Sequence, residues 1–322
     1  GRWPVLHYNT RSELSKDQRR SHTLVHEEET NHRAMAAPTP HPQKEVRTML
    51  DDAKLAFIGS GTMAEAMIKG ILDQKLLAPE RIIGSGPRPE RGQALEERYS
   101  IRSTTSNTKA VEDATLVVLS VKPQVLPKVL PELVGQISAQ SLVLSIVAGA
   151  RIASIAKGLS HQAILRAMPN TPAQIGAGMT VWTVSEQTTA EQQEQGQSIL
   201  AALGEEVFVE DEVYLDMATA LSGTGPAYVF LFIEALIDAG VHMGFSRRIS
   251  RQLVIQTVLG SALFVKQSTR HSAELRNMVT SPGGTSAEAL YQLEKGGLRT
   301  IVSRAVWAAY QKSRILGGTS DK

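Results

Sequence analysis

The sequence predicts an α/β protein with two domains: a doubly wound parallel-sheet (Rossmann-like) domain and, after it, an all-helical domain. From Lys54 onward, short apolar runs alternate with helical stretches, as is typical of a parallel sheet that helices cover on both faces. After Val213 the strand patterns stop and only helical patterns follow. A chain of 322 residues is also long for a single core. We therefore place the sheet domain at 53–210 and the helical domain at 211–318.

Each predicted strand is a run rich in Val, Ile, Leu or Ala. The strand candidates, in order, are KLAFIG from Lys54, RIIGS from Arg81, ATLVVLSV from Ala114, SLVLSIVAG from Ser141, AILRAM from Ala163 and GMTVWTV from Gly178. The first two strands are followed by amphipathic stretches. These predict helices from Met63 to Gln74 and over PERGQALEERY from Pro89.

Four or five helices are predicted for the helical domain, with breaks at SGTGP, GFSR, RHSAE, SPGG and EKGG. The most apolar helix, AYVFLFIEALIDAGV from Ala227, is interrupted by Glu234 and Asp238, which lie four residues apart on one helix face. No stretch reaches the roughly 18 unbroken apolar residues that a membrane span needs. We therefore expect a core or interface helix here, and no membrane partner.

Composition and charge exclude several classes of function. The chain has no cysteine, which rules out disulfides, thiolate metal sites and cysteine nucleophiles, and we expect a cytoplasmic protein. A net charge of +2 argues against nucleic acid as a partner. Residues 1–50 hold five of the eight histidines, but their spacing matches no metal-ligand pattern. For this segment we expect a disordered extension, and we expect no metal site.

A glycine-rich turn directly follows the first predicted strand. FIGSGTMA contains Gly59-x-Gly61-x-x-Ala64 where a strand passes into a helix. Gly59 permits the tight turn, and Gly61 lets the backbone approach a pyrophosphate. The alternative is a packing turn in an unrelated α/β domain. The residues expected at the dinucleotide are Gly59, Ser60, Gly61, Thr62 and Met63.

The end of the second predicted strand indicates which dinucleotide is bound. An NAD site usually has Asp or Glu at this point, whereas GSGPRPER has no acid at the strand end. Ser85 and Arg88 are instead suited to a 2′-phosphate, as hydroxyl donor and cation. We predict NADPH, with NADH as the weaker alternative, although Arg88 can also be read as an ordinary surface residue.

A second glycine-rich loop, VTSPGGTSAEAL, begins at Val279. Pro282, Gly283 and Gly284 bring backbone amides up to a helix start, where exposed N–H groups favour an anion such as a carboxylate. Thr285 and Glu288 have the spacing of a capping box. The alternative is an ordinary turn between helices.

Several motifs, in the same order along the chain, resemble the pyrroline-5-carboxylate reductase family, which makes proline. The resemblance covers residues 54–317 and rests on FIGSGTMAEAMIKG, SVKPQ, SIVAGA, MPNTPAQIGAGMT, LSGTGPAYVF and VTSPGGTSAEAL. It implies an NADPH-binding domain and a helical domain that interlocks with a second subunit, giving a homodimer or a higher homo-oligomer such as a ring of dimers. It also implies hydride transfer to the cyclic imine of pyrroline-5-carboxylate.

The resemblance implies roles for individual residues. The family's catalytic threonine, which hydrogen-bonds the imine nitrogen, falls on Ser286. This is a departure that keeps the hydroxyl and loses the methyl group. Lys122 is placed at the cofactor and is our second catalytic candidate. The substrate is expected at Ser281, Pro282, Gly283, Gly284 and Thr285. Further cofactor contacts are expected from Asn107, Val121, Lys122, Pro123, Ala148, Gly149 and Asn170.

Two other functions fit parts of the pattern. A related imine, keto-acid or hydroxyacid reductase usually carries a lysine or histidine acid in the long interdomain helix, and AYVFLFIEALIDAG has neither. A catalytically idle dinucleotide-binding protein is the other alternative. Gly59, Gly61 and Ser286 argue against it without excluding it.

Overall fold

The computed structural model describes residues 50 and 52–318, so the predicted extension over 1–50 lies outside the described residues except for Leu50. Eight strands form one sheet in the order β3-β2-β1-β4-β5-β6-β7-β8. Neighbouring strands are parallel except β6 and β7, which are antiparallel. The strands are β1 Leu55–Ile58, β2 Ile82–Ser85, β3 Arg102–Thr104, β4 Leu116–Leu119, β5 Leu142–Ser145, β6 Ile164–Met168, β7 Gly178–Val184 and β8 Gly204–Phe208.

Six helices cover the two faces of this sheet. They are α1 Thr62–Asp73, α2 Pro89–Tyr99, α3 Asn107–Val111, α4 Leu126–Glu132, α5 Ile152–Leu159 and α6 Ala190–Ala201. Side chains of β1 alternate between the faces. Phe57 packs with α1, α2 and α6, whereas Ile58 packs with α3, α4 and α5. Because both faces are covered, β1, β4 and β5 are buried along their whole length. The predicted doubly wound fold is confirmed.

The sequence patterns miss β3 and β8, which are the two edge strands of the sheet. β3 is only three residues long, and none of them is fully buried. β8 carries Glu205 and Glu206 within GEEVF. Edge strands contact a neighbour on one side only and need fewer apolar side chains, so hydrophobic periodicity does not reveal them.

The rest of the described chain is helical. Its elements are α7 Val213–Ala218, a π-turn at Thr219–Gly223, α8 Gly225–His242, α9 Arg247–Gln267, α10 Ser272–Met278, α11 Thr285–Lys295 and α12 Leu298–Leu316. No strand follows Phe208 within residues 52–318. All five predicted breaks separate helices here. The predicted number of four or five was too low, because α7 and α10 are short.

The surface of the helical region is unusually apolar. Phe230 and Leu231 of α8 are more than half exposed, Phe232 is 46% exposed, and many apolar side chains of α9 and α12 are also exposed. Within the described residues, one helical stretch, Val213–His242, is long and apolar enough to span a membrane by length and composition alone, with a mean hydropathy of 1.5 over its most apolar 18 residues. Only 11% of its most apolar window is buried within this chain. These helices therefore present an apolar surface that the described part of their own chain does not cover.

Candidate active site

The first glycine-rich loop is held tightly at the carboxyl edge of the sheet. Gly59 has φ +100°, and a Cβ built on it would lie 2.9 Å from the carbonyl carbon of Ser120. Its amide donates to Ser85 O at 3.0 Å, and the Ser120 hydroxyl donates to Gly59 O at 2.7 Å. Glycine is therefore required at position 59 both by the backbone angle and by the close approach of β4.

Gly61 is the N-cap of α1, and its surroundings differ from those of Gly59. Its φ of −77° suits any residue, and a Cβ at this position would meet no atom within 4 Å. Glu65 is the first residue of α1 whose amide donates four residues back, to Gly61 O. The earlier amides of Thr62 and Met63 are therefore open donors. Open space beside a helix start fits a pyrophosphate, which binds at such amides.

Arg91 supports this loop from α2, and the sequence patterns missed it. Its Nε donates to Ser60 O at 2.9 Å, and its Nη2 lies 2.5 Å from Glu65 Oε2. Arg98 and Tyr99 also donate to Glu65. Burial raises the pKa of Glu65, but the hydrogen bonds from Arg91, Tyr99 and Arg98 outweigh burial, so this pKa lies below its ordinary value.

Ser85 does not face the open site as the sequence suggested. It is fully buried, and its hydroxyl lies 2.8 Å from Asn107 Oδ1 and 3.2 Å from Phe57 O. Asn107 in turn donates from Nδ2 to Glu132 at 2.8 Å. The geometry therefore gives Ser85 the role of orienting Asn107, in place of the direct phosphate contact expected of it.

Arg88 is exposed at the N-cap of α2, where the chain leaves β2. It lines an open cleft together with Gln93 of α2, Thr104 of β3 and Thr105, which follows β3. No carboxylate among the described residues pairs with it. A free cation at the end of the second strand is available to a 2′-phosphate.

The other expected cofactor residues follow β4 and β5 at the same edge. Lys122 is exposed, whereas Val121 and Pro123 are partly buried. Ala148 is partly buried after β5. Gly149 has φ +74°, and a Cβ there would lie 3.1 Å from Leu316, so the C-terminal end of α12 packs against this turn.

Asn170 follows β6, and both polar atoms of its side chain bond to protein. Nδ2 donates to Ser222 O at 3.1 Å, and Oδ1 accepts from the amide of Met179 at 2.9 Å. The residue therefore joins the β6–β7 loop to the π-turn. Its side chain is committed to these contacts, and this limits the cofactor contact that the sequence suggested.

The second glycine-rich loop leads into α11 with Gly284 as N-cap. The predicted capping box of Thr285 and Glu288 is wrong, because Thr285 is already the first helical residue. Gly283 has φ +71° with no atom within 4 Å of a built Cβ. The first amide that donates back is that of Ala287, to Gly284 O at 3.1 Å, which leaves the amides of Thr285 and Ser286 as open donors.

Ser281, Pro282 and Gly283 are exposed, and Ser286, the second residue of α11, is partly buried in the first turn of that helix. Gly284 N donates to Ser281 O at 3.0 Å, which closes the loop on itself. Among the described residues, all hydrogen bonds made by 270–299 stay within that segment or reach the adjoining turns of α9 and α12. The loop therefore makes no hydrogen bond to the described part of its own sheet region.

The comparisons with known proteins agree with this arrangement. Residues 212–316 match the family model for pyrroline-5-carboxylate reductase dimerisation, and residues 54–149 match that for NADP oxidoreductase, coenzyme F420-dependent. The pyrroline-5-carboxylate reductase of Synechocystis sp. is 42% identical over 264 residues, which cover 82% of this chain and 98% of that protein. The enzyme of that name from Pisum sativum is 37% identical over 273 residues, covering 84% and 99%. The chain belongs to the pyrroline-5-carboxylate reductase family.

Solved structures of this family share the fold. The Plasmodium falciparum pyrroline carboxylate reductase, solved with NADP bound, superimposes with a TM-score of 0.77 at 34% identity, covering 83% of this chain and 99% of that one. The Coxiella burnetii pyrroline-5-carboxylate reductase gives the same values. The predicted family and fold class, a Rossmann-like region followed by a helical dimerisation region, are thereby confirmed.

A buried ionic network joins the two regions in this family member, and no sequence pattern revealed it. Arg166 of β6 lies 2.6 Å from Glu212 Oε1 and 4.0 Å from Asp216 of α7. Asp216 also accepts from Ser313 of α12 at 2.8 Å and from Arg151 at 3.3 Å. Arg166 and Asp216 are both almost fully buried, so each charge depends on its partners. These pairs are 46 to 97 residues apart and leave no local signal.

Proposed function

We propose that this chain reduces 1-pyrroline-5-carboxylate to L-proline with NADPH, the last step of proline biosynthesis, and uses NADH less well. One observation carries the proposal: two helices, α1 and α11, begin at glycine N-caps whose surroundings leave open backbone amides. One start fits a pyrophosphate and the other a small carboxylate. The family supplies the reaction in which both ligands take part.

The residues of α11 hold and polarise the substrate in this proposal. The open amides of Thr285 and Ser286 donate hydrogen bonds to the substrate carboxylate, which the positive end of the helix dipole also favours. The Ser286 hydroxyl hydrogen-bonds the ring nitrogen, which keeps the C=N bond oriented. NADPH, when bound along Gly59–Met63, Arg88 and the loop after β4, supplies the hydride. Lys122, exposed at that edge, offers a positive charge to the cofactor and the reacting centre.

The proposed active unit is a homodimer, or a ring of such dimers, in which α11 of one subunit completes the cofactor site of the other. Three observations support it: the dimerisation match over 212–316, the exposed apolar side chains of α8 and α9, and the hydrogen bonds of 270–299, which do not reach the described sheet region. A partner subunit then covers the apolar stretch Val213–His242, which needs no membrane. We expect this assembly in the cytoplasm.

The activity is tested by steady-state assay with pyrroline-5-carboxylate and each dinucleotide. The proposal expects turnover with both and a higher kcat/KM for NADPH. Turnover of a keto acid or hydroxyacid in place of the imine would favour the related reductase. Binding of NADPH without any turnover would favour an idle dinucleotide-binding protein.

The shared site is tested by mixing two impaired variants, Gly59→Ala and Ser286→Ala, after unfolding and refolding them together. If α11 serves the partner, a mixed dimer holds one site with both defects and one site with neither, and activity returns. If each subunit uses its own α11, every site keeps one defect and activity does not return. Light scattering on the same samples reports whether the active species is a dimer or larger.

A further inference from the structure

The π-turn before α8 is a place where two backbone carbonyls lose their usual helical donors. Thr224 N donates five residues back, to Thr219 O at 2.8 Å, and this leaves Ala220 O without its α-helical partner. Ser222 O would normally accept from the residue four positions later, which is Pro226, and proline has no N–H. An unpaired carbonyl at a partly buried site is costly, so both groups need other donors.

Side chains supply those donors. The Tyr228 hydroxyl donates to Ala220 O at 3.0 Å from within α8. Asn170 Nδ2 donates to Ser222 O at 3.1 Å from the loop after β6. Of these two bonds, only the second joins the π-turn to the sheet region. Because Asn170 Oδ1 also accepts from Met179 N, the amide is fixed at both ends.

The position of this link in the sheet relates it to the candidate active site. β6 lies three strands from β1 in the order β1-β4-β5-β6, about 14 Å at the usual strand spacing. The residues after β6 share the carboxyl edge with the loop after β1, on the side away from β2 and Arg88. The side chain of Met168, at the end of β6, would lie 2.9 Å from a Cβ built on Gly223. The π-turn therefore packs directly against this edge of the sheet. A Cβ on Gly225 would meet nothing within 4 Å, so the start of α8 has open space beside it.

We propose that Asn170 is a positioning residue, which fixes the π-turn and the start of α8 at the carboxyl edge of the sheet by bonding the Ser222 carbonyl that Pro226 leaves free. The wall formed there by Gly223, Thr224 and Gly225 bounds the substrate side of the site. Asn170 acts through this wall and touches neither substrate nor cofactor. The expected change in kcat/KM rests on the proposed reductase activity. The structural link between Asn170 and Ser222 does not depend on that activity.

The test changes Asn170 to Asp, which keeps an oxygen for Met179 N and replaces the donor to Ser222 O with a repelling oxygen. We expect kcat/KM for pyrroline-5-carboxylate to fall about tenfold, while the Kd of NADPH, measured by fluorescence, stays within about twofold. Amide hydrogen exchange in 219–228 should become faster. The matched control is Gln162→Glu, the same chemical change at an exposed position before β6, which should alter none of these quantities.

A second substitution separates two effects of Asn170: supplying a donor to Ser222 O, and holding the π-turn against the sheet. Pro226→Ala gives Ser222 O a backbone donor. In that background Asn170→Asp should lower Tm by less than the roughly 2–4 °C expected in the wild-type background. The loss in kcat/KM should remain, because the link to the sheet is still missing. Asn170→Ser, which removes the amide without adding a charge, should reproduce the kinetic loss if the aspartate variant does not fold.

Three results would overturn the inference: kcat/KM and amide exchange near wild type in the Asn170 variants, a loss of NADPH affinity as large as the loss for substrate, or recovery of kcat/KM by Pro226→Ala. The amide-exchange comparison needs no turnover. If wild type itself fails to reduce pyrroline-5-carboxylate, the proposed function fails while the structural link can still be judged.

Discussion

The two glycine-rich loops have the same local form and very different support. Both start a helix at a glycine N-cap with open amides beside it. The loop at Gly59 is hydrogen-bonded to β2, to Ser120 just after β4 and to α2, whereas the loop at Gly283 hydrogen-bonds only within its own segment of the described chain. The first loop is therefore held by its own chain, whereas the described part of the chain gives the second loop no such support. A second subunit is the natural source of what is missing.

The difference has a physical origin in where each loop is attached. The first loop follows β1, a strand that is buried on both faces and paired with β2 and β4. Hydrogen bonds to these neighbouring strands hold the backbone where the loop begins. The second loop joins two helices whose side chains are mostly exposed in the single chain. A rigid binding site needs packing and hydrogen bonds that hold its loop in place. The helical region gains such packing when its apolar surface is buried.

The largest effect is expected from replacing the glycines themselves. Gly59→Ala adds a methyl group 2.9 Å from Ser120 at φ +100°, so overpacking and backbone strain together should lower the free energy of unfolding by about 3 kcal/mol. NADPH binding should be lost. Gly283→Ala, at φ +71° with free space around it, should cost about 1 kcal/mol and leave NADPH binding intact. Urea unfolding and fluorescence titration measure both, and equal losses would refute the difference in support.

The next effect concerns chemistry at the second loop. Ser286→Ala should lower kcat about tenfold to a hundredfold, because it removes one polar contact of about 1–3 kcal/mol from the reacting nitrogen. Since Gly284 is the N-cap, the melting temperature should barely change. Ser286→Thr should be active, and Thr285→Ala is the neighbouring control expected to keep kcat. A lowered melting temperature with unchanged kcat would remove Ser286 from the mechanism.

These loops also show what the sequence could reveal. Gly59 and Gly61 were predictable because a glycine turn between an apolar strand and a helix is a local pattern with one common use. Of the eight strands, the six with apolar runs were predicted, and the two polar edge strands were not. The family and fold class followed from motifs in order, and the comparisons confirm both.

Side-chain partners could not be predicted in the same way. The hydroxyl of Ser85 was expected at a phosphate, but the chain folds so that Asn107, which is 22 residues away, takes it. The partner of Asn170 is Ser222, and it becomes available because proline stands at 226. Such pairs depend on tertiary packing that no local pattern records. The roles of the individual site residues therefore remain predictions.

A smaller effect is expected after β2, where the proposal places the 2′-phosphate of NADPH. Arg88 is exposed and has no carboxylate partner among the described residues, so Arg88→Asp should reduce the ratio of kcat/KM for NADPH to that for NADH by at least about tenfold, or 1.4 kcal/mol. Ser85→Ala should change this ratio little, because the hydroxyl is buried. A wild-type enzyme that prefers NADH tenfold would contradict the assignment.

The smallest expected effect is a pH dependence of stability that arises beside the first loop. The pKa of Glu65 is lowered because hydrogen bonds from Arg91, Tyr99 and Arg98 outweigh the effect of burial. A carboxylate with a lowered pKa stabilises the fold above its unfolded value, near pH 4.3, and this contribution disappears as pH falls through the folded value. Glu65→Gln should therefore lower the free energy of unfolding by about 1 kcal/mol at pH 7 and by progressively less as the pH falls below about 4.

Because Arg91 also bonds Ser60 O, NADPH affinity should weaken slightly in the Glu65→Gln variant. Among the described residues, the Glu288 carboxylate at the start of α11 accepts from Gln292, and Glu288→Gln should leave NADPH affinity unchanged. Denaturant unfolding of wild type and both variants at four or five pH values decides it: a gap that widens in acid would mean that the carboxylate does not support the loop.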